Sequence, residues 1–226
     1  MKKSNIILIL LASFIIASIL IFYINGKTHE GKIEMNAKNN FKVVNIADFT
    51  TLVANDGSDI HFIKSDTAKL KIELDDKKSL SKQLFEVKND TLYVYKGARM
   101  FAYGNNLKSV VSKKAYWIGI HAYNTDSLKM NLQDGEVYIN YGEGSTSTYK
   151  YIEIQSKDSA KIRITGNVSV EKMVLNTNST NIQLYNGSFQ TIVGMLENHS
   201  KLQCMSVMNT INNLQIKKDS TSRMGY

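Results

Sequence analysis

The sequence predicts an all-β fold: a parallel β-helix with coils of about 20 residues, preceded by an N-terminal transmembrane helix. Three observations carry this. Ile162, Ile182 and Leu202 recur at intervals of 20, as do Ile164, Leu184 and Cys204. A small polar corner stands before each pair: Asp158-Ser159-Ala160-Lys161, Asn178-Ser179-Thr180-Asn181 and Asn198-His199-Ser200-Lys201. Proline is absent from all 226 residues, which suits uninterrupted pairing because proline cannot donate to a strand ladder.

The N-terminal segment comes first. Ile6 to Ile24 is 19 residues without a charge, following Lys2 and Lys3. At about 1.5 Å per residue it spans roughly 28 Å, close to the thickness of a bilayer core. The two lysines direct the short N-terminus to the cytoplasm and everything after the span to the other side. The apolar run is long for a signal peptide. It ends Phe22-Tyr23-Ile24-Asn25-Gly26, a poor cleavage site, so an uncleaved anchor is favoured over export after signal cleavage. Residues 1–26 therefore read as a signal-anchor, 27–40 as a polar linker and 41–226 as the β domain. That domain is expected on the periplasmic side of the cell envelope.

Strands begin at Phe41. Phe41 to Val44 leads to Phe49-Thr50-Thr51-Leu52-Val53, and Asn55-Asp56-Gly57 turns the chain into Ile60 to Ile63. Leu70-Lys71-Ile72-Glu73-Leu74 alternates with period 2. Asp75 to Gln83 is a polar loop or one helical turn, and Phe85 to Val87 and Leu92 to Tyr95 form a hairpin about Asn89-Asp90. These are the N-terminal strands of 41–96; residues 97–127 stay largely unassigned, apart from a strand at Tyr116 to Ala122. Leu128 to Leu132 and Val137 to Ile139 open the regular coils of 128–226, and Gly142 to Thr148 reads as a loop excursion. A second strand column is Ile152, Met173, Val193 and Leu214, alternating with Ile154, Leu175, Met195 and Ile216. A second turn column is Gly166, Asn186 and Ser206. The last coil decays into Asp219-Ser220-Thr221-Ser222-Arg223-Met224, a polar cap over an open end.

Several function classes lose support. Removing Lys2 and Lys3 leaves 26 Lys and Arg against 20 Asp and Glu, a scattered net charge of +6 with no basic run to track a nucleic acid backbone. The single cysteine, Cys204, excludes an intramolecular disulfide and sits at an inward repeat position. His29, His61, His121 and His199 show no metal-ligand spacing, and His61 and His121 alternate with apolar neighbours as solvent-facing residues do. No metal, cofactor or catalytic constellation is expected. Asp158 and Asp219 occupy corners, where local hydrogen bonding accounts for them.

The order of these segments resembles a known family. Phe49-Thr50-Thr51-Leu52-Val53, Asp59-Ile60-His61-Phe62, Lys69-Leu70-Lys71-Ile72-Glu73 and Val87-Lys88-Asn89-Asp90-Thr91-Leu92-Tyr93-Val94, followed by short coils, are similar to the auto-transporter adhesin head (GIN) domain of Bacteroidota envelope proteins. The family's Ser-Gly corners are replaced here by Asp-Ser, Asn-Ser and His-Ser. The resemblance implies a right-handed β-helix in the envelope and no enzyme activity. It brings no defined binding residues.

Aromatic residues supply the candidate surface. Nine of the twelve tyrosines lie between Tyr93 and Tyr151, with Trp117 and Phe101 among them. Tyr149 and Tyr151 are i, i+2 and would share a strand face. Trp117, Tyr116, Tyr149 and Tyr151 are therefore the candidate binding residues for a polysaccharide or an envelope protein. The alternative is that these rings close the junction between the N-terminal strands and the coils. At the level of the whole chain, the leading reading is a non-enzymatic, membrane-anchored, adhesin-like binding protein. The alternatives are a self-assembling scaffold of the envelope and, with least support, a glycan-active enzyme.

Overall fold

Parallel ladders dominate the fold, and each is built from columns of like residues. The computed structural model describes residues 40–74, 84–142 and 146–225. The expected span Ile6 to Ile24 and its linker up to residue 39 lie outside these residues, as does the expected loop or helical turn of 75–83. Among the described residues no helix is long and apolar enough to cross a membrane.

The N-terminal part contains β1 (Asn40–Asn45), β2 (Thr51–Ala54), β3 (Asp59–Lys64), β4 (Lys69–Leu74), β5 (Phe85–Lys88), β6 (Thr91–Val94) and β7 (Arg99–Gly104). Then come β8 (Ser109–Lys113), β9 (Trp117–His121), β10 (Thr125–Gln133), β11 (Glu136–Tyr141), β12 (Thr146–Lys157) and β13 (Lys161–Ile164). The last are β14 (Asn167–Asn178), β15 (Asn181–Leu184), β16 (Gly187–Glu197), β17 (Lys201–Cys204), β18 (Thr210–Lys218) and β19 (Arg223–Gly225). They form two sheets, one in the order β1-β4-β7-β3-β9-β11-β13-β15-β17-β19 and the other β18-β16-β14-β12-β10-β8-β2-β6-β5. From β8 onward each coil places one strand in each sheet, which makes the fold an all-β solenoid.

The inward columns are continuous. In the first sheet Ile60, Ile118, Val137, Ile162, Ile182 and Leu202 stand in register, and Phe62, Ile120, Ile139, Ile164, Leu184 and Cys204 form the next column. Apart from half-buried Cys204 and Leu202 at 3% exposure, all are essentially buried. In the second sheet Leu92, Leu52, Val110, Met130, Ile154 and Leu175 do the same. The polar corners work as their composition implies. Asp158, Ser159, Ser179, Asn198 and His199 all have positive φ, a region that short polar side chains tolerate better than branched ones.

The N-terminal strands belong to the same stack, in an order that the chain does not follow. The coil β2–β3 lies between β6–β7 on one side and β8–β9 on the other. Antiparallel strands finish that end: β4 pairs with β7, β1 with β4, and β5 with β6. The β5–β6 hairpin turns through Asn89 and Asp90 at φ 49° and 55°, as two-residue hairpin turns require. The unassigned stretch of 97–127 holds β7, β8, β9 and the start of β10.

Two register readings need correction. The second-sheet column runs Ile152, Met173, Ile192, Leu214, and its partner column Ile154, Leu175, Gly194, Ile216. Val193 and Met195 are therefore displaced by one residue. Ile192 and Val193 are adjacent and both apolar, so alternation alone does not choose between them. The structure buries Ile192 fully and leaves Met195 43% exposed. The second correction concerns the long strands, which bend. In β12 Ser147 and Tyr149 point inward, Lys150 is exposed, and burial resumes one residue out of phase at Ile152 and Ile154. β14 repeats this, with Glu171 and Lys172 exposed between buried Val170 and Met173.

Candidate functional site

Outward residues of the first sheet, from coils distant in sequence, meet in one cluster of rings. Strand alternation turns Asp59 and His61 of β3, Arg99 and Phe101 of β7, and Trp117 and His121 of β9 outward, because Ile60, Phe62, Met100, Ala102, Ile118 and Ile120 take the core. β11 adds Tyr138 and Tyr141.

A bulge places Tyr141. Asn140 has φ 61°, and the pairing of β11 with β9 shifts between Ile139 and Tyr141. Asn140 is buried, and its Nδ2 donates to the Thr165 carbonyl at 3.0 Å while its Oδ1 accepts from Ser147 Oγ at 2.6 Å. Tyr141 thereby falls opposite His121 and faces outward, the re-aiming that bulges produce.

The rings are in close contact. Trp117 stacks on Tyr138 with centroids 3.9 Å apart and planes 20° apart. His61 stacks on Phe101 at 5.0 Å. Tyr141 meets His121 edge-on at 5.3 Å, Tyr138 at 5.5 Å and Trp117 at 5.6 Å. Gly119 provides the floor between them. It stands opposite both His61 and Tyr138, and a Cβ there would come within 2.8 Å of His61 Nδ1. Surrounded in this way, His61 is only 7% exposed although it faces outward. The cluster borders an open pocket of about 370 Å³ lined by Asp59, His61, Arg99, Phe101, Tyr116, Trp117, His121 and Tyr141.

Polar groups fill the gaps. His61 Nδ1 lies 3.1 Å from His121 Nε2, and His61 Nε2 lies 3.5 Å from Asp59 Oδ1. Arg99 Nε donates to Asp59 Oδ2 at 2.9 Å, and its Nη1 lies 3.9 Å from Glu73. Burial pushes the Asp59 carboxyl up, but hydrogen bonds from His61 and Arg99 and the Arg99 charge outweigh it, so Asp59 lies below the usual carboxylate range. His121 moves the other way. Burial first, and then the neighbouring His61, hold it down at about 4.

This shift has a measurable consequence. An unfolded His121 takes up a proton near pH 6.5, the folded one only near pH 4. Between these values the unfolded chain binds more protons, so acidification favours unfolding. Stability is full above about pH 6.5 and falls as the pH drops toward 4. Urea unfolding across this range should show that slope, and His121→Asn should flatten it. An unchanged slope in the variant would place its origin elsewhere.

The four aromatic residues singled out from the sequence part ways. Trp117 lies in the cluster, half-buried, and Tyr116 lines the pocket at 70% exposure. Tyr149 is fully buried, which corrects its reading as a surface residue; burial pushes its hydroxyl far above the ordinary tyrosine range. Tyr151 faces outward on the second sheet, beside Glu153 at 3.4 Å. The bend at Lys150 separates the two, because i, i+2 residues share a face only along a straight strand.

Asp59, Arg99, Tyr138 and Tyr141 were not singled out from the sequence; Phe101 entered only through aromatic density, and His61 and His121 only as solvent-facing residues. The coil period gave no signal here, because the coil from Val137 to Ile162 is 25 residues long and the register of Tyr141 with His121 depends on the bulge at Asn140. The His61–His121 contact spans 60 residues across stacked coils, which local spacing rules do not detect.

Similarity to known proteins fits this architecture. Among solved structures, a candidate adhesin of Bacteroides fragilis superposes with a TM-score of 0.57 at 14% identity, covering 84% of this chain and 98% of that one. A candidate lipid-binding protein of Parabacteroides distasonis matches at 11% identity and a TM-score of 0.49, covering 84% and 97%. A candidate adhesin of Parabacteroides merdae matches at 14% and 0.48, covering 84% and 96%. None of the curated proteins matches. At these identities the first match speaks for the fold alone. Residues 49–220 match the family model described as Toastrack DUF4097, which takes in both sheets and the ring cluster, and the chain belongs to the Toastrack DUF4097 family.

Proposed function

We propose that this chain is a non-enzymatic, adhesin-like binding protein of the cell envelope whose binding surface is the ring cluster on the first sheet. The carrying observation is the convergence of Phe101, Trp117, His121 and Tyr141 on an open pocket, with buried Tyr138 stacked beneath Trp117. A rigid ladder holding amphipathic rings in place loses little entropy when a ligand docks. In the same reading Ile6 to Ile24 anchors the chain, the coils wind right-handed, and the solenoid stands on the periplasmic side. Membership of the narrower adhesin head (GIN) group belongs to it too.

The pocket chemistry supports binding over turnover. Glycoside hydrolysis works with two carboxyl groups flanking the bond, whereas the described lining residues include one, Asp59, already engaged by Arg99. The Asp59–His61–His121 chain has no Ser, Cys, Thr or Lys beside it among the described lining residues.

The test uses the full-length chain in mild detergent with insoluble envelope material. Tyr141→Ala removes a partly exposed ring and should weaken binding about tenfold, while the loss of its edge-on contacts costs only about 1 kcal/mol of stability. Equal binding by the variant would refute the assignment of this surface.

A second reading, self-assembly, is favoured by one feature. In the last coil Ile211, Leu214, Ile216 and Met224 are only partly buried, and Val207 and Met208 beside it are fully or largely exposed. Concentration-dependent assembly lost in Met208→Lys would favour that reading.

A further inference from the structure

We infer that the ring pocket takes an uncharged sugar ring of an envelope glycan, rather than an anionic polymer or a peptide. This rests on the binding role proposed above and specifies its ligand.

Size speaks first. The pocket of about 370 Å³ is at the lower end of small-molecule sites, roughly 300–1,000 Å³. A stable protein partner would cover about 800 Å² of surface around an apolar centre. On one side the apolar strip runs from Phe101 only to exposed Phe41 and Val43 of the edge strand β1. Beyond Tyr138 the face continues as Glu136 with Lys161 and Arg163, then as the Arg163–Gln183–Gln203 ladder. The apolar patch is a strip that gives way to paired polar groups beyond Tyr138 and stops at β1 on the other side.

Charge speaks second, and against what the whole chain suggests. A net charge of +8 favours anionic partners in general. At the pocket, however, the cations are already matched. Arg99 is held by Asp59 and faces Glu73. Arg163 is paired with Glu136 and lies over the Tyr138 ring, 4.9 Å from its centroid. His121 stays neutral at physiological pH. Lys71 packs over Phe41, 5.3 Å from its centroid, and does not line the pocket. Among the described lining residues a carboxylate or sulfate entering here would meet no unmatched positive charge, and it would lie beside Asp59.

Chemical shape speaks third. A pyranose has an apolar C–H face and a rim of hydroxyl groups, each both donor and acceptor. The pocket presents the complement: rings of Phe101, Trp117 and Tyr141, with a rim made by the half-exposed Arg99 guanidinium and the hydroxyls of Tyr116 and Tyr141. A hydroxyl can answer either kind of rim group. An apolar peptide side chain would satisfy the rings and leave the rim unanswered.

The experiment titrates the full-length chain in mild detergent with neutral hexaoses of glucose, mannose and galactose and with hexagalacturonate, at about 50 and 500 mM salt, a range that screens surface charge. At least one neutral hexaose should bind, with affinity changing less than about twofold across the salt range. Tyr141→Ala and Phe101→Ala should each weaken it about tenfold, and Tyr141→Phe, which keeps the ring, about threefold or less. Binding of hexagalacturonate alone, lost at high salt, overturns the inference; so does the absence of any sugar binding. A parallel arm treats envelope material with periodate, which cleaves sugar diols, or with protease. Tyr141-dependent binding that survives periodate and is lost to protease would make the ligand a protein: the ligand class fails while the surface stands. Binding that ignores Tyr141→Ala in every arm would remove the surface itself.

Discussion

Gly194→Ala is expected to lower stability by about 3–4 kcal/mol, a fall in melting temperature of roughly 10 °C for a domain of this size. Gly194 has φ 146°, a region that side chains rarely adopt, and a Cβ there would lie 1.8 Å from the Leu175 carbonyl oxygen. That oxygen is in the neighbouring strand β14, so the clash is with backbone and no rotamer relieves it. The ladder between β14 and β16 would have to open where Leu175 faces Gly194, in the middle of the column that runs from Ile154 to Ile216. Gly225→Ala is the control: a Cβ there meets nothing within 4 Å, and the change should stay within about 0.5 kcal/mol. Urea unfolding of both variants, followed by circular dichroism, separates the two. Equal stabilities would mean that β16 does not hold the register described.

The same position shows what a sequence can and cannot say about a solenoid. The columns through Ile162 and Ile164 are legible because their coils have equal lengths and one apolar residue per inward position. Around β16 the sequence offers Ile192-Val193 and Gly194-Met195, and alternation fits either phase. Only the partner strand decides, because the inward residue must face Met173 and Leu175. Tyr149 was misread for a related reason: burial changes phase where a long strand bends, and exposed Lys150 carries no signal that separates a bend from a straight strand. The site was harder still. Phe101, His61, Trp117 and Tyr141 come from four strands, and the placing of β2–β3 between β6–β7 and β8–β9 breaks any fixed spacing among them. Trp117 and Tyr116 were reachable through aromatic density. His61 and His121 were set aside because metal and catalytic motifs are recognised by short spacings, whereas a stacked coil joins residues 60 apart.

That inserted coil leads to the second large effect. Phe62→Ala should cost about 4 kcal/mol, near the middle of the range for a fully buried phenylalanine. Phe62 is completely buried in β3 and stands in its column between Ala102 and Ile120. Its ring meets Phe49 edge-on at 6.1 Å and Tyr123 at 5.1 Å. Ala102 on one side is small, and Gly104 beyond it has no side chain, so the Phe62 ring fills the space that these residues leave. A second alanine beside Ala102 would open a cavity with nothing flexible next to it, because β3 is hydrogen-bonded to β7 and β9 along both edges. Ile216→Ala, in the half-buried last coil, removes a side chain that already touches water and should cost about 1 kcal/mol. Thermal unfolding of the two variants beside the parent makes the comparison. If Phe62→Ala costs no more than Ile216→Ala, then β2–β3 is not clamped between two coils, and the ring cluster that β3 supports through His61 loses its rigid base.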